Sequence, residues 1–224
     1  MRFKWLKGLL LFAGIAVVPV IAAGQTDTPD NPESTAAENP APTPHEVVAT
    51  ASTAIADQLD GRKAYLKENS TELYTLIDGL LLPHFDTRYA GFRVLGDHWR
   101  NATEEQRTRF VDVFYRFLVQ SYADGILGFE QDSLTILPPD GELDEKRAIV
   151  KTTIRMEDGT EVPVNYSMRN SSAGWRVYDV RIEGVSYIQN YRNQLNAEIT
   201  ALGLDAVIDR LQGEISASAA PRDS

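Results

Sequence analysis

The chain has no cysteine among its 224 residues. That absence excludes disulfides, thiolate nucleophiles, Cys-ligated zinc and iron–sulfur clusters together. It also excludes a lipoprotein-type lipid anchor, which needs a cysteine behind the export signal. Basic residues are scarce: 22 Lys and Arg stand against 32 Asp and Glu, for a formal net charge of −10 and a pI near 4.8. Binding to phosphate backbones needs a basic surface, so no nucleic-acid partner is expected. The only histidines are His45, His84 and His98. None has a second histidine at metal-ligand spacing and no H-E-x-x-H occurs, so no metal site is expected. There is no G-x-G-x-x-G and no Walker loop, and Gly125-Ile126-Leu127-Gly128 lacks the lysine of a phosphate cradle. Gly184-Val185-Ser186 resembles half a nucleophile elbow, but Ile188 stands where the closing glycine belongs. Ser186 reads instead as a helix cap. Glu104 and Glu105 suit a helix first turn, and Glu142, Asp144 and Glu145 form an acidic turn that does not spell a calcium loop. No catalytic residue and no cofactor are expected, and the chain reads as a non-enzyme.

What the chain does hold begins with an address. Arg2, Lys4 and Lys7 form a basic head, an uncharged apolar run extends from Gly8 to Ile21, and Ala22, Ala23 and Gly24 follow. This is the three-part pattern of a secretory signal peptide. The run is shorter than the roughly 20 residues of a membrane span. Residues 1–23 are therefore expected to be removed, which takes the net charge from −10 to −13. An exported, cysteine-free, unanchored protein points to the bacterial periplasm, because secreted eukaryotic chains of this size usually carry disulfides.

Residues 24–44 carry Pro29, Pro32, Pro40, Pro42 and Pro44 and no large apolar side chain. Such a stretch cannot bury enough surface to offset its ordering entropy, and it reads as a flexible tether. Residues 216–224 read as a disordered tail. The folded body is expected over 45–215, and 43% apolar residues suffice for an ordinary core.

Val47, Ala51, Ile55 and Leu59 share one helix face, with Gly61 as the stop. Asn69 and Glu72 have the spacing of a capping box ahead of Leu73, Leu76, Ile77, Leu80 and Leu81. Asp86 can cap a short helix that Gly96 closes. Thr103 and Gln106 spell another capping box, opening the strongest helix, whose apolar side holds Phe110, Val113, Phe114, Phe117, Leu118 and Tyr122. Beyond Gly128 the period changes to two. Strands are expected at Ser133–Leu137, Arg147–Arg155, Glu161–Arg169 and Gly174–Ile182, with a hairpin at Asp158-Gly159 and a longer turn over Asn170–Gly174. Helices at about Ser186–Leu202 and Leu204–Ile215 close the body. The order is helices 45–128, sheet 133–182, closing helices 186–215. That order means an α+β fold: an antiparallel four-stranded sheet packed on a helical lobe, with room for an apolar cavity between them.

Two stretches carry a resemblance. The first runs through Leu82-Pro83, Asp86, Tyr89-Ala90, Val94-Leu95-Gly96, Trp99-Arg100, Ala102-Thr103, Gln106-Arg107 and Phe110. The second holds Trp175, Val177-Tyr178-Asp179-Val180, Ile182-Glu183-Gly184-Val185-Ser186 and Asn190-Tyr191-Arg192. Together they resemble the MlaC family, also called the toluene-tolerance family, over the whole expected body. The tether is longer than that family suggests, and Leu195 replaces a frequent Phe. The resemblance implies an NTF2-like sheet and one bound phospholipid, with tails inside and headgroup near the mouth. It implies shuttling between an inner-membrane ABC transporter complex and an outer-membrane lipoprotein–porin complex, in a pathway that maintains outer-membrane lipid asymmetry.

On that reading the candidates for lining the cavity are Leu76, Leu80, Tyr89, Phe92, Phe114, Phe117, Val164, Tyr166, Val177, Val180, Val185 and Ile188. Packing in an ordinary core accounts for each of them equally well. Arg93, Arg100 and Arg192 are candidates to meet a lipid phosphate, beside the alternative of a headgroup that simply faces solvent. Trp175, Tyr178 and Asp179 read as structural, with Asp179 satisfying nearby backbone or Arg192. Two other functions fit the residues: an NTF2-like enzyme with an apolar pocket, and a periplasmic chaperone for lipidated clients.

Overall fold

A computed structural model describes residues 41–128, 133–141, 144–156 and 158–219. The expected signal peptide, nearly all of the tether, Glu142 and the last tail residues lie outside that range.

Helix α1 (Pro44–Leu59) opens on a capping box between Thr43 and Glu46 and buries Val47, Val48, Ala51, Ile55 and Leu59. A short α2 (Lys63–Glu68) precedes α3 (Ser70–Leu80). The expected Asn69–Glu72 capping box is not formed. Asn69 Nδ2 donates back to the Tyr65 carbonyl, and Glu72 accepts from Arg62 at 2.5 Å and from the Tyr65 hydroxyl at 2.7 Å. The cation of Arg62, just ahead of α2, and the Tyr65 phenol of α2 outcompete a neutral backbone N–H. A 3-10 turn (Leu82–His84) leads to α4 (Thr87–Leu95), whose cap is Asp86, as expected. Then come α5 (His98–Asn101) and α6 (Glu104–Leu127). Thr103 and Gln106 make both bonds of their capping box, at 3.0 and 3.1 Å.

The sheet is a meander of β1 (Leu134–Ile136), β2 (Arg147–Arg155), β3 (Glu161–Ser171), β4 (Gly174–Ile182) and β5 (Val185–Ser186), antiparallel throughout and in that order. It has five strands where four were expected. The fifth has two residues and exists because Glu183 and Gly184, at φ 50° and 82°, fold the chain back on β4. Two residues carry no periodicity for a sequence reading to detect. The turn between β3 and β4 is also shorter than expected: β3 runs to Ser171, leaving Ser172 and Ala173 as the loop. Helix α7 (Tyr187–Leu202) starts on Ser186, whose hydroxyl accepts from the Gln189 N–H. Helix α8 (Leu204–Ala219) runs past Ile215.

Two separate apolar cores result. In the first, Val150, Ile154, Val164, Tyr166, Met168, Val177 and Ile182 of the sheet meet α1, α3 and the end of α6. In the second, Val94 and Leu95, Phe110, Val113 and Phe114, Leu195 and Ile199, and Val207, Ile208 and Leu211 join α4, α6, α7 and α8. Polar ties cross between them. The Asp86 N–H donates to the Val177 carbonyl at 2.8 Å, and Arg169 donates to the Asp86 carboxylate at 2.8 Å while lying over the Tyr89 ring. Asp179, only 6% exposed, accepts from the Ser186 hydroxyl at 2.7 Å and the Ile188 N–H at 3.1 Å. Its ion-pair partner is Arg181, not Arg192. Arg192 instead has its guanidinium against Gly96.

Helix α4 lies close on α6 because Gly91 has no side chain: a Cβ there would stand 2.7 Å from Val111 Cγ2. Behind this contact, the Tyr122 and Tyr191 hydroxyls are 3.2 Å apart and the Tyr122 and Tyr187 rings meet edge to face. Burial pushes the phenols of Tyr122, Tyr187 and Tyr191 above their usual value of 10.0. Tyr115 is raised too, by burial first and the Asp78 carboxylate second.

Two predictions follow from this packing. Gly91→Ala forces α4 off α6 and should destabilise the fold by about 1–3 kcal/mol, the usual range for overpacking; a lower urea midpoint at unchanged m-value is the expected readout. The tyrosines set an alkaline limit. Above pH 10 the unfolded chain releases phenolic protons that the native state retains, so stability should hold up to about pH 10 and fall beyond it. Denaturant midpoints measured between pH 8 and 12, with tyrosinate absorbance at 295 nm, report this; buried tyrosines should ionise only on unfolding.

Candidate functional site

A cavity of about 130 Å³ lies where the two cores meet. The first core supplies Ile77, Leu81, Ile126, Tyr166 and Val180, and the second supplies Phe114 and Ile188. Phe85, Thr87, Ala90, Tyr178, Asp179 and Tyr187 complete the lining. Helix α6 forms the longest wall with Val111, Tyr115, Leu118, Val119 and Tyr122. The lining is almost wholly hydrocarbon and aromatic. An engineered apolar cavity of about 150 Å³ stays dry and takes up benzene, so this space favours an apolar guest over water.

Four sequence candidates stand on this wall: Phe114, Tyr166, Val180 and Ile188. The others lie elsewhere. Leu76 and Leu80 pack against the first core, while their neighbours Ile77 and Leu81 face the cavity. Val164 and Val177 are fully buried within the first core. Tyr89 turns to Tyr178 and Arg169, and Phe92 is 39% exposed with its edge against Trp99. Phe117 packs on Tyr191 in the second core. Val185, 47% exposed, borders a separate polar cleft, together with Arg93 and Arg192. Arg100 is exposed on α5 and does not reach that cleft.

Phe117 is the one candidate on α6 that does not stand on the cavity wall, and the pattern of that helix explains it. Helix α6 is apolar on two faces. Its more aromatic stripe, through Phe110, Val113, Phe114 and Phe117, packs into the second core, and Val111, Tyr115, Leu118, Tyr122 and Ile126 repeat at i+4 and i+3 along the cavity face. That second stripe was the available signal for the residues the sequence reading missed. Among the described residues, no group of three or more His, Asp or Glu side chains is placed to hold a metal, and no helix is long and apolar enough to cross a membrane.

Residues 49–213 match the family model described as MlaC protein. The toluene tolerance protein ttg2D of Pseudomonas putida is 30% identical over 179 residues, covering 79% of this chain and 83% of that protein. The intermembrane phospholipid transport system binding protein MlaC of Haemophilus influenzae is 24% identical over 177 residues, covering 77% and 82%. A solved phospholipid-binding protein from Ralstonia solanacearum, in complex with a phospholipid, superposes with a TM-score of 0.71 at 24% identity, over 78% of this chain and 97% of its own. The last likeness establishes a shared fold of helices on an antiparallel sheet. The family match spans most of the chain, as the paired motifs implied: this chain belongs to the MlaC family.

Proposed function

We propose that this protein is a periplasmic phospholipid carrier that holds acyl chains between its two cores and sheds residues 1–23 on export. The tether 24–44 then precedes a lipid-binding body over 45–215. The observation that carries this reading is the apolar cavity walled by both cores, where no catalytic constellation faces the space. The names of its relatives support it: one is the binding protein of an intermembrane phospholipid transport system, and the solved neighbour carries a phospholipid. The proposed route runs from an inner-membrane ABC complex to an outer-membrane lipoprotein–porin complex, or the reverse. No bond is broken in such a transfer, so neither catalysis nor a cofactor is required; the phospholipid is the ligand.

Energetics shape the mechanism. Each methylene removed from water is worth about 0.8 kcal/mol, so two chains of about 15 methylenes are worth on the order of 24 kcal/mol gross. Release into water is too slow to be useful, and lipid must pass directly between docked partners. The cavity as it stands holds far less than a phospholipid, so loading must move the cores apart. Ala90 on α4 and Val180 on β4, both on the cavity wall, would then contact the tails. A mature charge of −13 disfavours lingering on anionic membranes and leaves protein docking as the exchange route.

The test is native mass spectrometry of the protein purified gently from the periplasm, with lipid extraction. About one phospholipid per chain is expected. Ala90→Phe and Val180→Phe fill the cavity from different elements and should each lower occupancy severalfold while circular dichroism stays native. A protein that emerges empty and takes up no phospholipid from vesicles overturns the carrier reading in favour of an enzyme or a chaperone.

A further inference from the structure

Beside the cavity lies a polar cleft of about 400 Å³, bounded by α4, the turn into β5 and the start of α7. It shares Tyr178, Asp179 and Ile188 with the cavity, so one guest can occupy both. Its charged side chains are Arg93, Arg181, Arg192 and Asp179. Asp179 is buried and already engaged by Ser186, the Ile188 N–H and Arg181. Arg93 and Arg192 are different. Both are half-buried, yet neither makes an ion pair or side-chain hydrogen bond among the described residues.

Acids outnumber bases, 32 to 22, and many arginines find carboxylates: Arg62 takes Glu72, Arg109 takes Asp209, Arg169 takes Asp86 and Arg210 takes Glu198. Arg100, Arg147 and Arg176 also make no ion pair among the described residues, but none of them borders the cleft. Arg192 is moreover held in place. Its guanidinium crosses Gly96 so closely that a Cβ there would stand 2.7 Å from Nη2, and Gly96 itself has φ 54°. Glycine both closes α4 and clears the path for this side chain. A planar guanidinium donates two parallel N–H groups, the geometry that phosphate oxygens accept.

We propose that Arg93 and Arg192 form a phosphate-binding subsite for the lipid headgroup, and that it prefers anionic phospholipids to those bearing an amine. The preference follows from the cleft's charge balance. Three guanidinium groups face one carboxylate, and that carboxylate is saturated, so an ethanolamine ammonium meets no open acid among the cleft-lining residues. A glycerol headgroup brings the same phosphate without the misplaced positive charge. This inference rests on the carrier reading and adds the headgroup class to it. Free inorganic phosphate has the same chemistry and must be separated by experiment.

The experiment loads the full mature chain from vesicles of equal phosphatidylglycerol and phosphatidylethanolamine in 0.15 M salt, then reads bound lipid by native mass spectrometry. The wild type should enrich phosphatidylglycerol severalfold over the vesicle ratio. The Arg93→Gln/Arg192→Gln double variant should return to the vesicle ratio in whatever lipid it still carries. Arg93→Gln alone leaves the Gly96 contact intact and should lose part of the enrichment, which covers a double variant that fails to fold. Wild-type protein that loads lipid at the vesicle ratio overturns the subsite and leaves the carrier reading standing. Enrichment that survives in the folded variants overturns it as well. A wild type that loads no lipid overturns both. In a parallel titration of lipid-free protein with inorganic phosphate, arginine-dependent binding without any lipid enrichment assigns the anion to free phosphate and overturns the headgroup assignment.

Discussion

Asp179 is the side chain on which the arrangement turns. Buried within β4, it accepts from the Ser186 hydroxyl and the Ile188 N–H and so ties the start of α7 to the sheet. A buried carboxylate is tolerated only when its oxygens are satisfied, and here donors from β5, α7 and Arg181 meet that condition together. Because α7 anchors the second core, this one carboxylate couples the two cores across their seam.

Two cores with a seam between them differ physically from one large core. Each is closed by its own contacts: sheet against α1 and α3, and α4 and α6 against α7 and α8. The surfaces left over at the seam are apolar but not interdigitated, and they enclose the cavity. Links across it include Asp86 to Arg169 and to the β4 backbone, Asp179 to α7, the Tyr89 and Tyr178 rings edge to face, and Tyr187, which packs against both cores. Together they hold the cores in register. The polar cleft sits where the same seam reaches the surface, which is why an apolar guest and an anionic group can be received side by side.

Much of the fold was legible in the chain because it depends on local chemistry. The boundaries of β2 and β4 followed from alternation, and the caps at Asp86, Thr103 and Ser186 followed from side chains able to accept a backbone N–H. The Asn69–Glu72 box failed because Arg62 and Tyr65, from a helix too short to carry periodicity, drew Glu72 away. The cavity wall was less legible. Phe114, Tyr166, Val180 and Ile188 reach it, whereas Val164, Val177 and Phe117 serve the cores.

The sequence by itself determined the alternation of helices and strands, the family, and the absence of thiol, metal-spaced histidine and nucleotide chemistry. These are properties of residue type and spacing along one dimension. Only the tertiary structure decided which apolar stripe of α6 faces the cavity and which of three arginines reach one cleft. The reason is that burial is a relation between elements. Val111 and Val113 are equally apolar in the chain, and so are Leu76 and Ile77. Which one packs into a core and which one faces open space is decided by the neighbouring helix's position, and that position is set by contacts as distant in sequence as Gly91 on Val111 and Asp179 on Ile188.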